Sequence, residues 1–529
     1  MKKIYSIKRG ILESIQKDPY LYLLLIVINI FSFGYIIGFG GYFFRDFSII
    51  FDGGLRIWHG QIPYRDFFIP TGPMVYYIQG LFAWIFGPNT LSMKMHSAFL
   101  SAIVLTLFFI YARKYINNYQ AFGLTIFLHL FYYARLTNPW YDQTALFFYF
   151  VSQFIILYNI DKKIQWYKLS IVGFLTGLCV FSKQDVGGLA FIFIFGQLFF
   201  FSNEKIKYSS IYILSFFSFI ILTVSYYDSI SDFGYWFNYG QSPHNSRLDN
   251  ILSTIFQQNG NYNIKILGDF RYHTILFSII YLIILKDFGK VTLFNFFFLF
   301  GSTIFSIIFE STSGQGKYSS LFFMPIIALF VIKLLTESKH IKFTSFLKSL
   351  IGLLIVWILF SYFFRHAYGN TFVFWQAIKK NQYGTLSNSC FEGTRFKHEI
   401  IDGIESIKSE LQKNKNNFNE YFFLNMSSYT FLYKDLNIEP PRSMHLYYHK
   451  NVSLFDKDYT EFKKKLKENP FQYILLQEMA SGTPPLEFRE YLHSIGYDPI
   501  LVVDTPKSGV DGTGRGQKYN ATLYKLNDH

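Results

Sequence analysis

The chain alternates between long apolar stretches and short polar connections. Apolar stretches close to the length that crosses a bilayer, roughly 17 to 25 residues, recur between residues 20 and 364. They fall at 20–42, 94–112, 119–134, 142–160, 167–183, 186–202, 209–227, 272–286, 291–309, 318–336 and 345–364. The pattern predicts a polytopic α-helical membrane protein with about eleven transmembrane helices.

Composition supports this class of protein. Of the 529 residues, 51% are hydrophobic, 21% are aromatic and only 16% are charged, which is far outside the range of soluble domains. The net charge of +14 comes largely from alternate short loops, such as those with Lys2, Lys3, Lys162 and Lys163. This is the bias of the positive-inside rule, so we expect a cytoplasmic N-terminus, and the charge requires no nucleic-acid partner.

The predicted outer loop 43–93, between the first two spans, is unusually rich in ionisable residues, glycine and proline. It opens with Arg45 and Asp46. Charges close to hydrocarbon are costly unless they are paired or hydrated, so we interpret this segment as an active-site loop. We expect five of its residues to shape the backbone: Gly60, Pro63, Tyr64, Asp66 and Pro73.

Three further polar turns fall on the same side under this topology. They contain Arg135 with Asp142, Lys183, and Glu310 with Lys317. Four loops that are distant in sequence are therefore expected to converge on one membrane face. Carboxylates can serve there as bases or metal ligands, while Lys and Arg can bind phosphate.

Each of these residues also has an ordinary structural interpretation. Asp142 begins an apolar stretch and could simply cap a helix. Lys183 lies between two apolar runs and could extend its ammonium to the headgroups. Trp140 and Tyr141 fit the aromatic belt of a membrane interface. The sequence alone leaves these alternatives open.

After residue 365 the pattern changes to that of a small α/β domain. Apolar residues recur at helical spacing at Ile400, Ile404, Ile407 and Leu411, and strand-like runs follow. The runs begin at Tyr421, Tyr473 and Ala521. We therefore expect a transmembrane domain at 1–365 and, with an odd number of spans, an extracytoplasmic α/β domain at 366–529.

The motifs of the first outer loop follow a familiar order. Asp46 precedes Gly60, Pro63-Tyr64-Arg65-Asp66-Phe67-Phe68, a Pro-Thr-Gly-Pro turn and Phe86-Gly87. The order resembles the glycosyltransferase C superfamily, and the nearest group looks like bacterial relatives of protein O-mannosyltransferases and of the lipid A aminoarabinose transferase. The turns at Asn138-Pro139-Trp140-Tyr141-Asp142 and Ser182-Lys183-Gln184-Asp185 are similar to later loops of that group.

The resemblance implies an integral enzyme of the bacterial plasma membrane. Such an enzyme moves a sugar, with inversion, from a polyprenyl-phosphate carrier to a lipid, glycan or protein acceptor. By this likeness Asp46 is the general base, and Lys183, Arg135 and Lys317 bind phosphate. Asp142 would orient the acceptor or a divalent cation such as Mg or Mn. Relatives carry an acidic pair at the first position, whereas Phe47 follows Asp46 here.

Two other classes of protein remain open from the sequence. The many spans and outer basic residues would also suit a glycolipid transporter or flippase, although the inverted repeats and broken helices of transporters are not evident. A non-catalytic subunit of a cell-envelope glycan assembly system is the third reading. The only two cysteines are Cys179, inside a predicted span, and Cys390, alone in the predicted outer part, so we expect neither a disulfide framework nor a thiolate metal site.

Overall fold

The fold is described from a computed structural model. The structure describes residues 18–39, 44–69, 72–114, 116–132, 139–159, 163–230, 383–414, 421–445, 456–477, 486–505 and 519–527. Four of the predicted spans, at 272–286, 291–309, 318–336 and 345–364, lie outside these residues, as does the predicted domain boundary at 365.

The N-terminal part of the described chain consists mainly of helices. They are α1 (Pro19–Phe39), α2 (Phe44–Trp58), α3 (Met74–Phe86), α4 (Thr90–Ala112), α5 (Asn118–Tyr132), α6 (Tyr141–Asn159), α7 (Trp166–Val180), α8 (Gln184–Phe201) and α9 (Lys205–Ile230). The first seven predicted spans each coincide with one of these helices. Among the described helices, α4 and α9 are long and apolar enough to cross a membrane.

The apolar pattern of these helices is that of a bundle surrounded by hydrocarbon. Buried residues from α1, α4, α6, α7 and α8 form one continuous core. Large apolar side chains also point outward, for example Leu214, Ile221 and Leu222 on α9. An exposed apolar face of this kind is expected where a helix contacts lipid rather than water.

The first loop is itself structured. It contains α2, the short strand β1 (Phe67–Phe68) and α3. Helix α2 is amphipathic, with Ile49, Ile50, Phe51 and Leu55 buried, so it packs one face against its surroundings. The sequence reading identified this segment as a functional loop and did not predict its two helices.

The C-terminal part combines short strands and helices. The strands are β2 (Tyr383–Thr385), β3 (Arg395–Lys397), β4 (Phe423–Met426), β5 (Met444–His445), β6 (Tyr473–Gln477), β7 (Tyr497–Thr505) and β8 (Tyr519–Leu526). The helices are α10 (His398–Gln412), α11 (Leu432–Asp435), α12 (Asp456–Glu468) and α13 (Leu486–Ser494). Helix α10 and strands β4, β6 and β8 were predicted from the sequence, whereas β7 was not.

A four-stranded sheet organises this part, in the order β4-β6-β8-β7. Strands β4 and β6 are parallel, while β8 is antiparallel to both of its neighbours. Separate apolar clusters include buried residues of α10, such as Ile404 and Ile407, and of α12 and α13, such as Phe462 and Phe488. The α10 cluster continues into the first loop, since it also contains Phe51, Phe67 and Val75.

Candidate active site

A lysine–aspartate pair lies where the first loop meets the helix bundle. The Nζ atom of Lys183 is 2.6 Å from Oδ1 of Asp142 and 3.8 Å from Oδ2 of Asp185. Only 13% of the Lys183 side chain and 5% of the Asp142 side chain is exposed. Burying an ammonium is costly, and the adjacent carboxylate offsets that cost. The structure therefore joins two of the residues that sequence analysis placed in separate turns.

The local sequence explains how these side chains are held. Asp142 lies in the first turn of α6, where a carboxylate is favoured by the helix dipole. Lys183 is the residue directly before α8, and its amide donates a hydrogen bond to the Cys179 carbonyl at 2.9 Å. Gly187 lets α8 start tightly against α7, because a Cβ there would lie 2.3 Å from the Val180 backbone.

The Pro-Thr-Gly-Pro turn of the first loop touches the Lys183 turn directly. The amide of Met74 donates a hydrogen bond to the Phe181 carbonyl at 3.2 Å. A Cβ on Gly72 would lie 1.9 Å from that same carbonyl oxygen, so only glycine permits this approach. Of the loops predicted to converge, the first outer loop and the Lys183 turn are therefore in contact. The ion pair between Lys183 and Asp142 adds the turn that contains Asp142.

Asp46 lies in the first turn of α2, and its side chain is outside what the structure describes. Two residues later, the Ser48 carbonyl accepts a hydrogen bond from Thr430 Oγ1 at 3.1 Å. The helix carrying the proposed base is therefore anchored to the C-terminal part. Arg135 and Lys317, the other two predicted phosphate ligands, lie outside the described residues, and so does Glu310.

Gly60 lies in the turn that ends helix α2. Its φ is 79°, its amide bonds the Ile57 carbonyl, and the Gln61 amide bonds the Arg56 carbonyl, both at 2.9 Å. These are the two hydrogen bonds of a Schellman motif, in which glycine readily adopts the left-handed conformation. At the other end of the loop, Pro73 precedes α3, and its carbonyl accepts a bond from the Tyr76 amide.

The turn at residues 63–67 carries backbone strain. Tyr64 has a φ of 66°, which costs a residue other than glycine roughly 1–2 kcal/mol. Its amide bonds the Phe67 carbonyl at 2.7 Å, and Pro63 forms a bridge with Phe67. The ring of Tyr64 is buried against that of Tyr227, with centroids 5.5 Å apart, so tertiary packing holds this conformation.

Asp66 stabilises the same turn through its side chain. Its carboxylate accepts a 2.8 Å hydrogen bond from the Ile62 amide and pairs with Arg65 at 2.6 Å. Arg442 of the C-terminal part lies 3.7 Å away. Burial alone would raise the pKa of Asp66, but the hydrogen bonds from Arg65 and Ile62 and the charge of Arg442 lower it below its ordinary value.

The described residues do not form a metal site by themselves. Among them, no group of three or more His, Cys, Asp or Glu side chains could hold a metal ion. Asp142 and Asp185 share the Lys183 ammonium, which takes the place that a cation would fill. A divalent cation therefore does not fit this cluster in the described arrangement.

Sequence reasoning missed Arg56 and Gln61. Both side chains are 2% exposed and make hydrogen bonds to Pro441 and Pro440, respectively, across the junction with the C-terminal part. A signal was present, because Asp52 and Arg56 stand four residues apart, the spacing of neighbours on one helix face. Their partner segment nearly four hundred residues later could not be identified from spacing.

The comparisons with known proteins agree with this architecture. Residues 70–227 match the model of the dolichyl-phosphate-mannose-protein mannosyltransferase family. The matched segment includes Gly72, Asp142 and Lys183, and it begins after Asp46. No curated protein matches the chain significantly in sequence.

Among solved structures, ArnT from Cupriavidus metallidurans bound to undecaprenyl phosphate is similar in fold. The TM-score is 0.50 at 9% identity, and the match covers 95% of this chain and 97% of that one. The oligosaccharyltransferase AglB from Archaeoglobus fulgidus, in complex with an inhibitory peptide and a dolichol-phosphate, has a TM-score of 0.47 at 11% identity. That match covers 87% of this chain and 69% of AglB.

The family match over residues 70–227 and the fold shared with ArnT support the resemblance to the glycosyltransferase C superfamily that the sequence indicated. The chain is therefore similar, over residues 70–227 in sequence and over most of its length in fold, to polytopic membrane proteins of the glycosyltransferase C superfamily. The similarity to ArnT extends over nearly the whole of both chains, so the relationship in fold includes the C-terminal part.

Proposed function

We propose that the protein is an inverting glycosyltransferase that takes a sugar from a polyprenyl-phosphate carrier. The observation that carries the proposal is the buried Lys183–Asp142 pair, placed in contact with the first loop and inside the family-matched segment. A buried cation next to a loop that carries a carboxylate provides both charges the reaction needs. The undecaprenyl phosphate bound to ArnT supports the choice of carrier.

In the proposed step, the acceptor hydroxyl attacks the anomeric carbon while Asp46 takes its proton. The bond between that carbon and the phosphate oxygen breaks, and polyprenyl phosphate leaves with the electron pair. A positioned base supplies about 10²- to 10⁴-fold in rate. Negative charge grows on the departing phosphate, and the Lys183 ammonium stabilises it electrostatically.

Asp142 has a supporting role in this scheme. By pairing with Lys183, it offsets the cost of a buried ammonium and fixes the direction of the lysine side chain. This differs from the sequence expectation, in which Asp142 acts directly on acceptor or metal. Arg135 and Lys317 remain proposed as further phosphate ligands.

The proposed topology is the one that the distribution of basic residues in the loops indicates. The N-terminus would lie in the cytoplasm and the C-terminal α/β domain outside, so the first loop faces the outer leaflet. The polyprenyl tail would lie in the bilayer beside the helices. The acceptor would be a lipid, glycan or protein, and a nucleic acid has no part in the reaction.

A donor-turnover assay tests the proposal. Purified protein is incubated with membrane extract and undecaprenyl phosphate carrying radiolabelled mannose, glucose, galactose or aminoarabinose. We expect wild type to release label from one carrier, and Lys183→Gln to reduce the release by at least about 100-fold. Lys163→Gln is the control, because Lys163 pairs with Glu204 on an exposed surface.

The outcomes separate the competing classes. Release by wild type and the control, with loss in Lys183→Gln, supports the transferase. Movement of an intact glycolipid from one leaflet of a liposome membrane to the other, without release of sugar, would instead favour the transporter. Equal release by all three proteins would remove Lys183 from the mechanism.

A further inference from the structure

A buried polar network joins helix α2 of the first loop to the C-terminal part. Arg56 Nε donates a hydrogen bond to Asp52 Oδ2 at 3.2 Å, and Arg56 Nη1 donates to the Pro441 carbonyl at 2.7 Å. Nη1 also lies 3.3 Å from Gln61 Oε1, and Gln61 Nε2 donates to the Pro440 carbonyl at 2.7 Å. Arg56, Asp52 and Gln61 are each no more than 2% exposed.

Main-chain pairing extends this junction. Strand β1 pairs in parallel with β5, with Phe67 opposite Met444 and Phe68 opposite His445. The Ser443 amide donates a 2.6 Å hydrogen bond to the Asp66 carbonyl. The segment that receives the Arg56 bond is therefore the one that adds a strand to the first loop.

Separate contacts anchor the other end of the helix. Thr430 Oγ1 donates to the Ser48 carbonyl, and the rings of Phe51 and Phe391 meet at 4.8 Å. The Thr90 amide, at the start of α4, donates to the Cys390 carbonyl at 3.0 Å. Helix α2 is thus held by the C-terminal part near its first turn and near its last.

The Arg56 network has a particular energetic consequence. A buried guanidinium and carboxylate are tolerated only when their hydrogen bonds are satisfied. If the C-terminal part moved away, Arg56 would lose the Pro441 carbonyl and Gln61 would lose that of Pro440. Separation of the two parts is therefore opposed by polar contacts as well as by the shared apolar core.

We infer that the C-terminal α/β part positions the proposed catalytic loop, and that Arg56 is the positioning residue which couples them. Asp46 and Arg56 lie on one continuous helix, separated by about 15 Å of helix length. A rigid helix held at Arg56 and Ser48 fixes where Asp46 stands relative to Lys183. The inference rests on the proposed function, since it concerns the placement of the proposed base.

The test uses the full-length protein and two variants with different defects. Arg56→Lys keeps the charge but loses the fork that bonds Asp52 and Pro441 together. Gln61→Leu keeps the volume and removes the bond to Pro440. Arg113→Lys is the control, because Arg113 also forms a largely buried ion pair, with Asp18 at 2.7 Å, and caps the end of α4 that is farther from the first loop.

Two readouts are taken from each protein. Hydrogen exchange measures protection of the Ser443 amide and of strand β5, with strand β6 as an internal reference. Donor turnover is measured with the labelled undecaprenyl-phosphate sugars, to obtain kcat and donor KM. We expect faster exchange at Ser443 and β5 only, together with a kcat about 10- to 100-fold lower and an unchanged donor KM.

Several results would overturn the inference. Faster hydrogen exchange at Ser443 and β5 with a wild-type kcat would show that the contact between the C-terminal part and the first loop does not position the base. Unchanged exchange in both variants would remove Arg56 and Gln61 as the coupling residues. Failure of wild type to turn over any donor would count against the proposed function instead, and the exchange measurement would still report the docking independently.

Discussion

Lys183 and Asp142 form a buried ion pair with a separation of 2.6 Å between Nζ and Oδ1. They belong to different helical turns, one between α7 and α8 and the other at the start of α6. The carbonyl of Phe181, two residues before the lysine, accepts a bond from the first loop. The ion pair and this hydrogen bond together link the first loop, the start of α6 and the turn before α8, which are far apart in sequence.

Breaking one side of this pair is expected to be costly. Asp142→Leu would leave the Lys183 ammonium buried beside fewer carboxylates, and a change of this kind typically costs about 3–5 kcal/mol. The double variant Asp142→Leu with Lys183→Met should recover much of that stability and remain inactive in transfer. Melting temperature in detergent and donor turnover measure the two effects separately. Recovery of activity in the double variant would contradict the proposed role of Lys183.

Gly72 should be intolerant of any side chain. Gly72→Ala would place a Cβ 1.9 Å from the Phe181 carbonyl oxygen, so the first loop must move away from the Lys183 turn. We expect donor turnover to fall by about 100-fold or more, as displacements near 1 Å can do. Gly188→Ala is the control, because nothing lies within 4 Å of a Cβ at Gly188. Full activity of the Gly72 variant would show that this contact is not needed.

Gly60 should matter for its backbone conformation rather than for space. A Cβ on Gly60 meets nothing within 4 Å, but its φ is positive. Gly60→Ala is expected to destabilise the protein by about 1–2 kcal/mol. Gly60→Asn should be milder, since asparagine adopts the left-handed conformation more readily. Thermal unfolding in detergent distinguishes the two, and equal stability of alanine and asparagine variants would refute the explanation.

Asp66 should make the loop junction sensitive to acid. Its pKa in the folded protein lies below the ordinary value, so its stabilising contribution is complete above about pH 4. The contribution is lost as the pH falls through the lowered folded pKa. Asp66→Asn should therefore be less stable than wild type at neutral pH, and the difference should shrink with acidification.

The measurement is the melting temperature of wild type and of Asp66→Asn, from neutral pH down to the acidic pH at which Asp66 becomes protonated. Glu461→Gln serves as a control, because Glu461 pairs with Lys465 on the exposed face of α12. A difference between wild type and the Asp66 variant that stays constant with pH would argue against the ionised carboxylate as the cause.

The sequence predicted the helices better than the contacts between them. Long apolar runs located α1 and α4–α9, because the bilayer sets the length of a spanning helix. The short helices α2 and α3 were missed, since α2 mixes charged and apolar residues and α3 is an apolar run too short for a span. Strand β7 was missed because Asp498 and Pro499 near its start are residues that strands usually avoid.

Part of the candidate site could also be predicted from the sequence. Because it is costly to place a charge close to an apolar run, Asp46, Asp142 and Lys183 could be recognised as candidate functional residues. Their pairing depends on tertiary structure, so the sequence could not show that Asp142 faces Lys183. Likewise, Asp52 and Arg56 on one helix face were visible, but their partners Pro440 and Pro441 are supplied by a segment remote in sequence.

The most direct test of the proposed mechanism compares wild type with Asp46→Asn in the donor-turnover assay. The substitution keeps the size of the side chain and removes its ability to accept the acceptor proton. We expect release of radiolabelled sugar from undecaprenyl phosphate by wild type, and a decrease of at least about 100-fold in the variant, with an unchanged melting temperature. Undiminished release by Asp46→Asn would contradict the assignment of Asp46 as the base on which the mechanism depends.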